Sequence, residues 1–198
     1  MGEKGDNCVC PPFFLQKGAV LEESMFRRVI HWAVEISTVV ALAWFLVYSV
    51  GTHAVNAGQS MRPVLEDGDE LLLNRVAVTL FRPKRFDIVL FRSEESRGQN
   101  IKRIIGLPGE EVQIQDGVIR IDGEVLKEPE GLSGDPIAIS GRAEKVIRLG
   151  EEEYFVLSDN RSAGQDSRFD SVGNVKRERM VGTVWFRIGP FSKIGTVR

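Results

Sequence analysis

The stretch Val29–Val50, "VIHWAVEISTVVALAWFLVYSV", constrains this chain more than any other. As a helix its 22 residues reach about 33 Å, enough to cross the hydrocarbon core of a bilayer. From Ile36 to Val50 no charge interrupts it and no polar face emerges, so a helix lying on a soluble core is a poor reading. Arg27 and Arg28 precede the stretch, and the next Lys or Arg is Arg62. That asymmetry predicts a cytoplasmic tail at 1–28, a single transmembrane anchor at 29–53 and an exported domain at 54–198. Shifting the span toward residues 33–53 puts Glu35 near the cytoplasmic interface. A cleavable signal peptide is the rival reading, because Val55-Asn56-Ala57 carries the small-residue pattern of a cleavage site. The long tail, with Glu22 and Glu23, and Glu35 within the stretch favour an anchor that stays.

Beyond the anchor the charges balance. Residues 56–198 hold 22 Lys or Arg against 23 Asp or Glu, and the whole chain carries −2. No basic surface for nucleic acid is expected. Both cysteines, Cys8 and Cys10, lie in the tail, where a reduced thiol pair is the simplest reading, and no histidine follows His53. A zinc site of thiolates and imidazoles, a Ser-His triad and a cysteine nucleophile are thereby excluded from the main domain, and no metal or cofactor is expected there.

That domain reads as antiparallel β-structure. "ELLLNRV" (70–76), "FDIVLF" (86–91), "EYFVLSD" (153–159) and "MVGTVWFRIG" (180–189) are apolar runs of strand length. "EVQIQDGVIRIDGEVL" (111–126) alternates around two Asp-Gly pairs, a strong hairpin signal. Residues 127–150 are poorer in such runs and read as a variable insertion. The fold class expected is mainly β, an antiparallel catalytic domain behind one transmembrane helix.

Ser60, in "GQSMRP", is the candidate nucleophile, and without histidine its base must be a carboxylate or a lysine. In "NIKRIIGLPGE" (100–110), Lys102 and Arg103 point to opposite faces of a strand among isoleucines. One of the two charges must therefore lie against apolar surface. A lysine there loses part of its preference for the charged form, its pKa falling from about 10.4 toward neutrality. Arginine stays protonated. The bland alternative is an exposed, ion-pairing edge strand.

"GQSMRPVLEDGD", "NIKRIIGLPGE" and "SDNRSAGQDSR", in this order behind an anchor, resemble the bacterial type I signal peptidases. The resemblance implies a pair of antiparallel β-sheets and a Ser-Lys dyad serine endopeptidase. Such an enzyme cuts signal peptides from exported preproteins at the outer face of the cytoplasmic membrane, after Ala-x-Ala. It makes Ser60 the nucleophile and Lys102 the general base. The backbone N–H of Ser60 becomes one oxyanion donor, and Gly58 stands where many relatives carry a second, hydroxyl donor. Leu65 and Ile101 are candidates for the pocket of the residue before the cut. Arg103, Asp159, Asn160, Arg161, Asp166 and Arg168 are expected to form a supporting network. Gly164 stands where the family carries a lysine-orienting serine, so Ser162 or a water is expected to take that role, and Gly164→Ser to be neutral or mildly activating. Two other readings fit parts of the chain. One is a self-cleaving repressor-type Ser-Lys protease, against which the anchor argues. The other is a non-catalytic, membrane-anchored peptide-binding β-module, against which the presence of both Ser60 and Lys102 argues.

Overall fold

A computed structural model describes residues 16–50, 52–93, 98–129, 132 and 137–197, with only the backbone considered for 16–24, 49 and 50. The thiol pair Cys8 and Cys10 lies outside the described residues. The chain divides into two units, Met1–Phe45 and Leu46–Arg198. Helix α1 (Gln16–Val50), most of which belongs to the first unit, carries the apolar stretch. Its segment Met25–Tyr48 is long and apolar enough to cross a membrane. Every side chain described there is exposed, so the helix has no apolar core of its own to pack into. The helix ends at Val50 rather than at 53, because the chain immediately enters strand β1 (Thr52–Val55), where His53 pairs with Leu72.

The second unit is built from antiparallel strands. In chain order they are β2 (Glu70–Asn74), the single-turn helix α2 (Val76–Thr79), β3 (Ile88–Arg92), β4 (Gln99–Gly106), β5 (Glu111–Gln115), β6 (Val118–Ile121), β7 (Glu124–Val125), β8 (Ile147–Arg148), β9 (Glu153–Leu157), β10 (Val175–Lys176), β11 (Met180–Gly189) and β12 (Gly195–Thr196). The larger sheet runs β1-β2-β11-β3-β4-β9-β10, with β12 also on β11, and the smaller runs β7-β6-β5-β8. The two Asp-Gly pairs close the β5–β6 and β6–β7 hairpins. Asp116 and Gly117 have φ of 53° and 76°, and Asp122 and Gly123 have 51° and 84°. Positive φ at both central positions is the turn whose twist matches the strands it joins.

Residues 127–150 are less of an appendage than their composition suggests. β8 pairs with β5, and Ile137, Ala143, Ile147 and Leu149 join Val112, Ile114, Phe155 and Leu157 in one buried cluster. Strand β4 is central, and it is buried on both faces. Ile101 packs with Leu65, Leu71, Ile88 and Leu90 on one side, whereas Ile104 packs with Val89, Phe91, Tyr154 and Val156 on the other. Such two-sided burial explains why "IKRIIG" shows no apolar–polar alternation.

Candidate active site

Met61 explains where Ser60 points. The methionine is fully buried in the cluster with Leu65 and Leu73, a burial that contributes about 1.5–3 kcal/mol. The turn is closed by the Leu65 N–H donating to the Met61 carbonyl at 2.8 Å. With its neighbour drawn inward, Ser60 stays half-exposed on a cleft of about 410 Å³ that also meets Ala57, Asn100, Lys102, Gly164 and Val172. The Asn160 N–H donates to the Ser60 carbonyl at 2.9 Å, and the Asn160 amide donates to the Gln59 carbonyl at 3.3 Å. These bonds tie the 158–168 loop to the segment that carries Ser60.

Lys102 Nζ stands 2.8 Å from Ser60 Oγ. Its side chain is only 4% exposed, beside Val89 across the strand pair and Ile104 two residues on. No carboxylate forms an ion pair with it among the described residues. Burial is the main cause that lowers its pKa from 10.5 to about 8, with Arg168 adding to the effect while Asp166 and Asp159 oppose it. Such a lysine is neutral in roughly a tenth of molecules at pH 7, far more than an unperturbed lysine, and then has a lone pair to receive a proton.

Arg103 corrects the expectation that one charge of the pair would be buried: both are. Arg103 is 1% exposed and lies on the opposite face of β4. Its Nε and Nη2 each donate to Asp159 at 2.7 Å, and Nη1 donates to the Phe86 carbonyl at 2.8 Å. Asp166 forms a second buried fork with Arg168, both bonds 2.8 Å. It also accepts from the Ser158 N–H at 3.0 Å. Arg161 pairs with Glu128. Arg103, Asp159, Asn160, Asp166 and Arg168 are thus linked through the strand end and loop beside the cleft, and only Arg161 reaches away to a different partner.

Other expected residues stand elsewhere. Leu65 and Ile101 are packed in the cluster that holds Met61, not along the cleft. Gly58 borders the cleft, yet its N–H donates to Asp67 Oδ1 at 2.7 Å, so it is already engaged and is no free oxyanion donor. Ser162 is exposed and makes no hydrogen bond to Lys102; its own N–H donates to Asn160 Oδ1 at 3.3 Å. Gly164 overturns the expectation that serine is tolerated there. Its φ is +99°, and a Cβ would fall 2.8 Å from the Ser60 Cβ, a contact that forces atoms to move. Two residues with no expected part also border the site: Asp67, which holds Gly58, and Ser158, whose hydroxyl lies beside Gly164. The "SDN" beginning of the third motif was the only available signal for Ser158.

An antiparallel β-domain that presents a serine hydroxyl against a buried lysine amine has the makings of a serine hydrolase. Residues 29–189 match the family described as signal peptidase, peptidase S26, and the chain belongs to that family. Signal peptidase I T of Bacillus subtilis (strain 168) is 31% identical over 83% of this chain and 88% of its own length. Signal peptidase I of Bacillus licheniformis is 31% identical over 90% of this chain and 96% of its own. A crystal structure of a signal peptidase I from Enterococcus faecalis V583 aligns with 52% of this chain and 96% of its own, at 32% identity and a TM-score of 0.43. The chain is accordingly a serine endopeptidase of the signal peptidase I kind, a hydrolase.

Proposed function

We propose that the protein removes signal peptides from exported preproteins by a Ser60–Lys102 dyad, cutting after small residues in an Ala-x-Ala pattern. The observation that carries this reading is the 2.8 Å approach of a buried lysine amine, unpaired by any carboxylate among the described residues, to the Ser60 hydroxyl. Neutral Lys102 takes the Ser60 proton as the oxygen attacks the scissile carbonyl. The N–H bond forms while the O–H bond breaks, and the electron pair of Ser60 Oγ makes the C–O bond. The same proton passes to the leaving amine, and water later releases the acyl chain with Lys102 again as base. The Ser60 N–H, which has no hydrogen-bond partner among the described residues, is the proposed oxyanion donor.

The substrate lies along the cleft as an added strand. Leu65 and Ile101 support the Met61 side of the nucleophile turn from within the core, and through it shape the pocket that selects small side chains. The apolar helix anchors the protein in the cytoplasmic membrane, about 29–50, with the tail inside and the peptidase domain outside, in keeping with Arg27 and Arg28 at its entry. Its partners are then membrane lipid and signal peptides held at the same surface, which raises their effective concentration.

Cleavage of a preprotein in detergent tests the reading. Ser60→Ala, Lys102→Ala and Lys102→Arg should each be inactive with unfolding temperatures that still report a folded domain. Activity retained in Lys102→Arg would remove lysine as the base, since arginine does not give up its proton.

A further inference from the structure

We propose that Ser158 is the positioning residue for Lys102, its hydroxyl accepting a hydrogen bond from the lysine amine and turning the amine's lone pair toward Ser60. The inference rests on the reading that Lys102 is the general base.

The register of the sheet places the two residues together. Arg103 of β4 lies opposite Leu157 of β9, and Ile104 lies opposite Val156. One further step along this antiparallel register sets Lys102 opposite Ser158, with both side chains on the same face of the sheet. Residue 158 is where β9 gives way to the loop, and its N–H is held by Asp166 Oδ2 at 3.0 Å. The backbone that aims this side chain is thus fixed by the buried Asp166–Arg168 pair.

The hydroxyl itself has nowhere else to go. Ser158 is 0% exposed, and its Oγ has no hydrogen-bond partner among the described residues. A buried hydroxyl without a partner is destabilising, and alanine or glycine at this position would avoid the penalty. Gly164 shows what the hydroxyl looks into. The point where a Gly164 Cβ would stand is 3.2 Å from Ser158 Oγ and 3.5 Å from Lys102 Nζ. The bare glycine leaves the serine and the lysine facing one small space with no side chain between them. The proposed bond requires a change of rotamer at one end to close the gap. The hydroxyl that the resemblance expects at 164 is therefore supplied from 158, and glycine at 164 is what makes room for it.

The chemistry needs such a group. A neutral amine on a flexible stem has two N–H donors and one lone pair, and only one orientation points the lone pair at the Ser60 proton. An acceptor at a second position selects that orientation, and it holds the ammonium more strongly than the amine once the proton has moved. The charged groups that bear on Lys102 are Asp166, Asp159 and Arg168. All three are held in buried pairs.

The test uses the full-length protein in detergent, with steady-state cleavage of a preprotein measured across pH 6–10. Ser158→Ala should lower kcat ten- to a hundredfold with KM nearly unchanged. It should also move the rising limb of the pH profile downward by ~0.5 unit, because the lost acceptor favoured the ammonium. Ser158→Thr, which keeps a hydroxyl on the same carbon, should restore the midpoint. Should Ser158→Ala fail to fold, Ser158→Cys, close in volume and a weak acceptor, is read by the same criteria. A kcat within twofold of the parent, or a lowered kcat with an unmoved midpoint, overturns the role of Ser158 while leaving the dyad standing. Activity surviving in Lys102→Ala would overturn the dyad, and the role of Ser158 with it.

Discussion

Two neighbouring residues on β4, Lys102 and Arg103, are both nearly inaccessible to solvent, yet the two faces of the strand treat them in opposite ways. On one face the Arg103 guanidinium meets a carboxylate fork and a carbonyl, so its charge is compensated atom by atom. On the other, Lys102 meets aliphatic side chains and a serine hydroxyl, and burial depresses its pKa to about 8. Burial alone therefore does not decide whether a charge persists; the partner does. The paired face holds the loop beside the cleft in place, and the unpaired face holds the amine proposed as the base.

The largest expected effect comes from removing that difference. Lys102→Arg puts a permanent charge on the unpaired face, and cleavage should fall at least a thousandfold, about 4 kcal/mol of transition-state energy. A preprotein cleavage assay measures it. Asp159→Ala does the reverse, stripping the paired face of its carboxylate and leaving the Arg103 charge buried. That should cost about 3–5 kcal/mol of stability, seen as an early urea unfolding midpoint.

Next in size is a gain. Lys102→Met removes a charge that burial disfavours, and at pH 7 the variant should be more stable by about 3 kcal/mol. The sign follows from the lowered pKa. Below about 8 the amine is protonated in both folded and unfolded chains, and the penalty is fully present. Between about 8 and 10.5 the folded chain releases its proton first, so parent stability rises with pH and the gain from Met fades. Activity of the parent should climb through the same lower limit as the base becomes neutral. Unfolding curves at pH 7 and pH 10, for parent and variant, check both statements.

Smaller again is Gly164→Ser. The added Cβ meets Ser60 and takes a φ of +99° that suits glycine, so kcat should drop ten- to a hundredfold. If turnover is unchanged, the close contact at the unpaired face is not what keeps the lysine free. The smallest effect belongs to Ser162→Ala. The residue is exposed and apart from the amine, and its kcat should stay within about twofold, near 0.4 kcal/mol or less.

Local patterns made several elements legible. The Asp-Gly pairs announced their hairpins because a two-residue turn with positive φ has few solutions. "MVGTVWFRIG" became β11 over its whole length. The short strands β1, β8, β10 and β12 escaped, since two to four residues carry too little periodicity and owe their form to partners elsewhere in the chain. Residues 127–150 misled for the same reason: their apolar residues are widely spaced, and their burial depends on β5 and β9.

By itself the sequence determined that one apolar stretch could span a bilayer, that a β-domain followed, and that Ser60 had no histidine beyond His53 to act as its base, which left a carboxylate or a lysine such as Lys102. These conclusions rest on composition, local periodicity and side-chain chemistry, which travel with the chain whatever its fold. The tertiary structure alone decided which groups surround that lysine. Arg103 found Asp159 across 56 positions of sequence, and Lys102 came within 2.8 Å of Ser60 from 42 positions away. The β4–β9 pairing, whose last partners are Arg103 and Leu157, then brought Ser158 up beside Lys102, while the backbone turned Ser162 outward and left Gly164 bare. A pKa answers to the dielectric and the partners within a few ångströms, and the pairing of distant strands creates both.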